Sequence, residues 1–160
     1  MRILGIDPGL QVTGYGIIDD KKGSFKLIEA GVLKTSSKDR IERRLDKIHG
    51  TLIDIIKEYN PEVLILEKLY SHYKHPVTAI LMGHARGVIC YAAGECNIPV
   101  VSYPVKRIKQ AVTGTGGASK LQIQRMVANL LNLKNPIKYT DVADALALAI
   151  GHVYMERRKL

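Results

Sequence analysis

The chain has 160 residues, 46% of them hydrophobic, and carries 24 Lys and Arg against 15 Asp and Glu, for a formal charge of +9. That length suits one domain with a substantial core, the composition excludes a disordered chain, and the basic excess suits nucleic acid or another polyanion. No apolar run reaches the roughly 20 residues of a membrane span, no signal-peptide pattern opens the chain, and two cysteines (Cys90, Cys96) make neither a disulfide framework nor a zinc knuckle, so a reducing cytoplasm is expected.

The first third reads as three strands, Arg2 to Asp7, Val12 to Asp20 and Phe25 to Thr35. Pro-Gly and Lys-Lys-Gly turns separate them, predicting an antiparallel meander. From Asp39 to Tyr59 the period changes. Ile41, Leu45, Ile48, Leu52, Ile55 and Tyr59 alternate steps of four and three, which is one apolar helix face, and Asn60-Pro61 stops it. The stretch "EVLILE" (62–67) is short, apolar and branched, as a buried parallel strand is. A helix from about Val77 to Glu95 follows, then a second buried strand, "IPVVSY" (98–103). "PVKRIKQAV" (104–112) predicts a short basic helix and "TGTGGA" a loop. Ser119 and Gln122 form a capping box for a helix to about Leu133, and Thr140 is the expected cap of a last helix, Asp141 to about Arg158. The sum is an α/β fold: a five-stranded mixed sheet, antiparallel strands then parallel ones, with helices on both faces. Carboxyl ends of the parallel strands share one edge, where the active sites of such sheets collect.

Two of these strands end in acids, "ILGID" in Asp7 and "VLILE" in Glu67. Each alone has an ordinary explanation, a turn former before Pro-Gly or the first residue past a strand. The last helix adds Asp141 and Asp144, three apart on one face. A first-turn acid favours the helix dipole, which explains Asp141 and not Asp144. Leu148, Gly151 and Met155 continue the Asp144 face, and Val142, Leu146, Ala149 and Val153 make the opposite stripe apolar too. Packed on both sides, Asp144 must point at something polar. Were the four acids to share a pocket, each close pair would repel by about 4 kcal/mol at 4 Å and an effective dielectric of 20. Such a cluster takes up protons or binds a cation, and an all-oxygen donor set selects Mg²⁺ or Mn²⁺. In a basic protein that combination suits two-metal phosphodiester cleavage.

These residues, in "GIDPG" with "VTGYG", "EKLY", "GHARG", "KQAVTGTGGASKLQIQ" and "DVADALALAIGH", resemble those of the RuvC-type Holliday junction resolvases over essentially the whole chain. The resemblance implies a ribonuclease-H-like fold and a catalytic, metal-binding set of Asp7, Glu67, Asp141 and Asp144 with Mg²⁺, two ions per site, Mn²⁺ substituting. It places on Tyr70 the aromatic residue that stacks near the junction centre, and on Lys109 and Lys120 contacts near the scissile phosphate. It further implies a homodimer that nicks four-way DNA junctions symmetrically in recombination and repair, leaving 5′-phosphate and 3′-hydroxyl ends, with the RuvA–RuvB branch-migration complex as partner. The segment "SHYKHPVTA" (71–79) departs from the family pattern in its aromatic and His content.

Other residues carry competing readings. Lys106 and Arg107, with Lys109, Lys120 and Arg125, read as a DNA-tracking strip or as a solvated face. Arg86 either contacts phosphate or braces the acidic edge. His72 and His75 have a metal-like spacing without a third ligand, and His84 and His152 read as packing residues on apolar helices. "TGTGGA" lacks the Walker arrangement and reads as a DNA-facing loop before a helix N-terminus. An actin-like or sugar-kinase ATPase shares the "GID" opening but needs two such domains. The remaining alternatives are a YqgF-like nuclease acting on RNA and a branched-DNA binder that does not cut, which would need none of the four acids.

Overall fold

In a computed structural model of the chain, residues 1–68 and 76–158 are described. Strands β1 (Arg2–Asp7), β2 (Val12–Lys21) and β3 (Ser24–Lys34) form the expected meander. β4 (Val63–Glu67) and β5 (Val100–Tyr103) run parallel to β1, giving the order β3-β2-β1-β4-β5. Helix α1 (Ile41–Tyr59) leads into β4 and α2 (Pro76–Glu95) into β5; α3 (Val105–Thr113), α4 (Lys120–Leu130) and α5 (Thr140–Arg157) complete the chain.

Side chains alternate across a strand, so each strand feeds two cores. On one face, Ile3, Ile18, Val63 and Ile65 pack with α3, α4 and α5. On the other, Leu4, Ile6, Ile17, Leu64 and Leu66 pack with α1 and α2. α5 is the central helix, with 12 of its 18 residues buried. It lies against β1 and β2 because those strands present glycine there. A Cβ on Gly5 would overlap the Ala145 carbonyl, and one on Gly16 would overlap the Leu146 side chain.

The termini of the elements show where local signals worked. Asn60 closes α1 in the left-handed region (φ 48°), just before Pro61. Ser119 and Gln122 exchange both bonds of the capping box, Gln122 N–H to Ser119 Oγ at 3.2 Å and Ser119 N–H to Gln122 Oε1 at 2.7 Å. Thr140 is not a cap. It is the first residue of α5, and Tyr139 precedes it without a side-chain capping bond. α4 ends at Leu130, short of the expected Leu133.

α2 departs most from expectation. By length and composition it is long and apolar enough to cross a membrane, as the core helix of a soluble protein also can be, although it holds no unbroken apolar run of that length. It buries only Ala85, Ile89, Ala92 and Ala93, and leaves Val77, Ile80 and Tyr91 between 60% and 69% exposed. His84, expected to be packed, is exposed.

Candidate active site

The alternation that builds the core also aims the acids. Ile3 and Gly5 of β1 face α5, so Asp7, two residues on, does too. Val63 and Ile65 of β4 face the same helix, and so does Glu67. The strands are parallel and in register, Ile6 opposite Leu66, so both carboxylates leave the sheet at one edge on one face. The Pro8-Gly9 turn after Asp7 is closed by buried Thr13, whose hydroxyl donates to the Gly9 carbonyl at 2.6 Å. This turn sets β2 antiparallel to β1 with Gly14 opposite Asp7.

α5 delivers the remaining acids over that glycine. A Cβ on Gly14 would overlap the Asp141 carbonyl and stand 2.8 Å from the Asp141 Cβ. Asp144, one turn further, reaches a pocket of about 270 Å³ lined by Asp7, Glu67 and Asp144, with Lys109 and Lys120 among the other walls and Ile108, Ile123 and Leu148 among the apolar ones. Asp141 is not in this lining, but its charge acts on both Asp7 and Asp144.

The pocket raises the pKa values of its acids. Burial, then the charges of Asp144, Glu67 and Asp141, push Asp7 up to about 7 against the pull of Lys120. Burial and Asp144 raise Glu67 against Lys109, Lys120 and Arg86. Burial also raises Asp144, with Asp141 adding and the two lysines opposing. Among the described residues, none of the four acids makes an ion pair within 4 Å. Nor do three Asp, Glu, His or Cys groups stand close enough as they are to enclose an ion; like-charge repulsion works against a tighter cluster. The donors offered are carboxylate oxygens without Cys or His, the set a hard divalent cation takes.

The basic residues divide between two surroundings. Lys109 and Lys120 line the pocket, and Lys109 Nζ also donates to the Ala118 carbonyl at 2.7 Å, tying α3 to the loop before α4. Lys106 is exposed, with its carbonyl beside Gly116. Arg107 is exposed and lines a different cleft, with Tyr103, Gln110 and Arg158. Arg86 is half-buried and bonds to the sheet, Nη1 to the Glu67 carbonyl and Nη2 to Ser102 Oγ, both at 2.7 Å. Arg125 is exposed on α4. His152 is buried as expected, its Nδ1 2.9 Å from the Tyr103 hydroxyl. Tyr70, His72 and His75 lie outside the described residues.

Sequence reasoning missed Gly14 and Ser102. Gly14 had a signal, since the short turn between Asp7 and Val12 fixes a register that puts a glycine opposite the acid. Ser102 had none, because nothing local says which helix side chain will reach it.

Comparison with known proteins agrees with this geometry. The family model described as crossover junction endodeoxyribonuclease RuvC matches residues 3–152. A relative of that name from Rhodopirellula baltica is 47% identical over 151 residues, covering 94% of this chain and 85% of the relative. Another, from Caldicellulosiruptor saccharolyticus, is 46% identical, covering 96% and 92%. The Thermus thermophilus RuvC solved in complex with a Holliday junction substrate superposes with a TM-score of 0.94 at 32% identity, over 99% of this chain and 96% of that one. With the match running from β1 into the last helix, and so across every element that carries an acid, the chain belongs to the RuvC family of crossover junction endodeoxyribonucleases.

Proposed function

We propose that Asp7, Glu67, Asp141 and Asp144 form the catalytic centre with which this resolvase cuts four-way DNA junctions, and that they do so by holding Mg²⁺, two ions per site, with Mn²⁺ able to substitute. The observation that carries the proposal is the pocket itself. Three unpaired carboxylates, with the charge of a fourth close by, share it with two lysines and leave negative charge uncompensated. Bound cations would supply the Lewis acidity for phosphodiester hydrolysis. The protein's own part is to hold the carboxylates on strand ends and a buried helix, and to offer Lys109 and Lys120, which line the same pocket, to the phosphate. Hydrolysis there leaves a 5′-phosphate and a 3′-hydroxyl.

The same reading assigns the DNA footprint to Lys106, Arg107, Lys109 and Lys120, with Tyr70 stacking at the exchange point. It treats residues 1–160 as one resolvase domain acting in the cytoplasm alongside RuvA–RuvB. A homodimer fits the exposed side of α2. Val77, Ile80, His84, Gly87 and Tyr91 follow at steps of three and four, and a Cβ on Gly83, Gly87 or Gly94 would meet nothing within 4 Å. That exposed, largely apolar stripe suits close packing of a second copy, which would bring two pockets to one junction for paired nicks.

The test is nicking and binding of a synthetic four-way junction by wild type and Asp7→Asn, with and without Mg²⁺. The variant should bind and not cut. Nicking at the wild-type rate would refute the site, and equal nicking of linear duplex would refute the substrate.

A further inference from the structure

We propose that Arg86 is a positioning residue for Glu67, fixing the end of β4 from the face of the sheet opposite the pocket. The inference rests on the reading of Glu67 as a metal-holding carboxylate.

Arg86 belongs to α2, which packs on the Leu64 and Leu66 face. Glu67 points its carboxylate to the other face. β4 pairs with β1 only as far as Leu66, so Glu67 is the first residue of β4 without a partner there. Its carbonyl would end the strand without a ladder bond. Arg86 Nη1 donates to that carbonyl at 2.7 Å. In the same peptide unit the Lys68 N–H donates to the Tyr103 carbonyl at 2.8 Å. The Glu67–Lys68 peptide is therefore held at both its oxygen and its nitrogen, and its plane sets where the Glu67 side chain leaves the backbone. Ser102, opposite Leu66 on β5, accepts from Nη2 at 2.7 Å and orients the guanidinium. One side chain thus joins α2, β4 and β5 behind the acid. A lysine replaces this pair poorly, because its ammonium is a compact point donor on a flexible stem and lacks the planar fork that presents two donors in fixed directions.

The experiment uses the full chain with Arg86→Gln, Arg86→Lys, Ser102→Ala and Glu67→Gln. Mn²⁺ binding without DNA is followed by electron paramagnetic resonance, and junction binding is followed against salt without metal. Arg86→Gln should weaken Mn²⁺ binding by roughly 10- to 100-fold, the usual cost of losing a group that orients a ligand. Arg86→Lys should fall between it and wild type, and Ser102→Ala should show the smallest loss. Junction affinity and its salt slope should not change. Mn²⁺ affinity in Arg86→Gln within about twofold of wild type would overturn the proposal. So would a salt slope lower by about one, since that marks a lost phosphate contact. Should Arg86→Gln not fold, Arg86→Lys decides: wild-type Mn²⁺ affinity in it overturns the proposal. Glu67→Gln separates the two levels. If it binds Mn²⁺ like wild type, the metal-site reading fails; if it alone loses Mn²⁺, only the role of Arg86 fails.

Discussion

The two ends of the sheet use the same residue type in opposite ways. Where β1 begins, acids are paired: Arg2 clamps Asp19 through Nε and Nη2 at 2.8 and 3.0 Å, and Arg157 reaches Asp20 at 2.6 Å. Those bonds from Arg2 hold the Asp19 pKa below the usual carboxylate range. Where β1 ends, Asp7 meets three other acids and no paired cation, and its pKa rises to about 7. The six residues of β1 thus run from an arginine that pairs Asp19 across on β2 to a carboxylate, Asp7, left without a partner. Partnership, rather than position on a strand, distinguishes the two acids.

Removing an acid at each end should break the comparison most visibly. Asp7→Asn should cut junction nicking by at least about 10²–10³-fold, the scale of losing one preorganised electrostatic group, with junction binding retained. Asp19→Asn should leave the nicking rate unchanged, as single-turnover assays on one labelled junction would show. Equal losses at both ends would dissolve the distinction.

The next effect concerns how α5 reaches the acidic end. Gly14→Ala puts a methyl group into the Asp141 carbonyl, so α5 must lift from β2. The expected cost is about 1–3 kcal/mol in chemical denaturation, as for other overpacked sites, with nicking lost beyond what stability explains. Unchanged nicking in Gly14→Ala would mean that this contact does not place Asp141 and Asp144.

The last contrast lies in the sign of the pH dependence. For Asp7 the folded-state pKa is raised, so the folded protein holds a proton that the unfolded chain has lost. Metal-free stability should therefore fall as pH rises from the ordinary value of 3.8 to about 7. In the middle of that window the slope should approach about 1.4 kcal/mol per pH unit, the worth of one proton. Mg²⁺ should abolish the loss, and Asp7→Asn should lessen it, leaving the share of Glu67 and Asp144, whose pKa values are also raised. Asp19 acts in the opposite sense: its pKa is lowered, so its contribution is present above its unfolded value and lost as pH falls through the folded one. Thermal melts across pH with and without Mg²⁺ check both signs.

Much of this was legible in the chain because it depends on local period. The four-three spacing of Ile41 to Tyr59 gave α1, the branched run 63–67 gave β4, and Ser119 with Gln122 gave the start of α4. The acids were legible too, since each ends a buried run or begins a helix apolar on two sides. What escaped depends on contacts between distant elements. Bracing of the acidic edge was one of two readings for Arg86, but its partners, the Glu67 carbonyl and Ser102, follow only from how α2 packs on the sheet, and no spacing in "GHARG" announces them. The same holds for α2's exposed side. Its apolar residues resemble those of a core helix, and only the packing of α1 and the sheet decides which of them stay uncovered. Thr140 failed as a cap for a smaller reason: a capping residue type adjoined the helix start and the helix began on it.

The central claim is that the acids at the end of β1 gather to hold a divalent cation. Anomalous diffraction from crystals of the wild-type chain grown with Mn²⁺ tests it most directly. A peak ligated by Asp7 together with Glu67 or Asp144, absent in Asp7→Asn crystals, is the predicted result. Mn²⁺ bound elsewhere with this pocket empty, or a peak that survives the loss of Asp7, would contradict it.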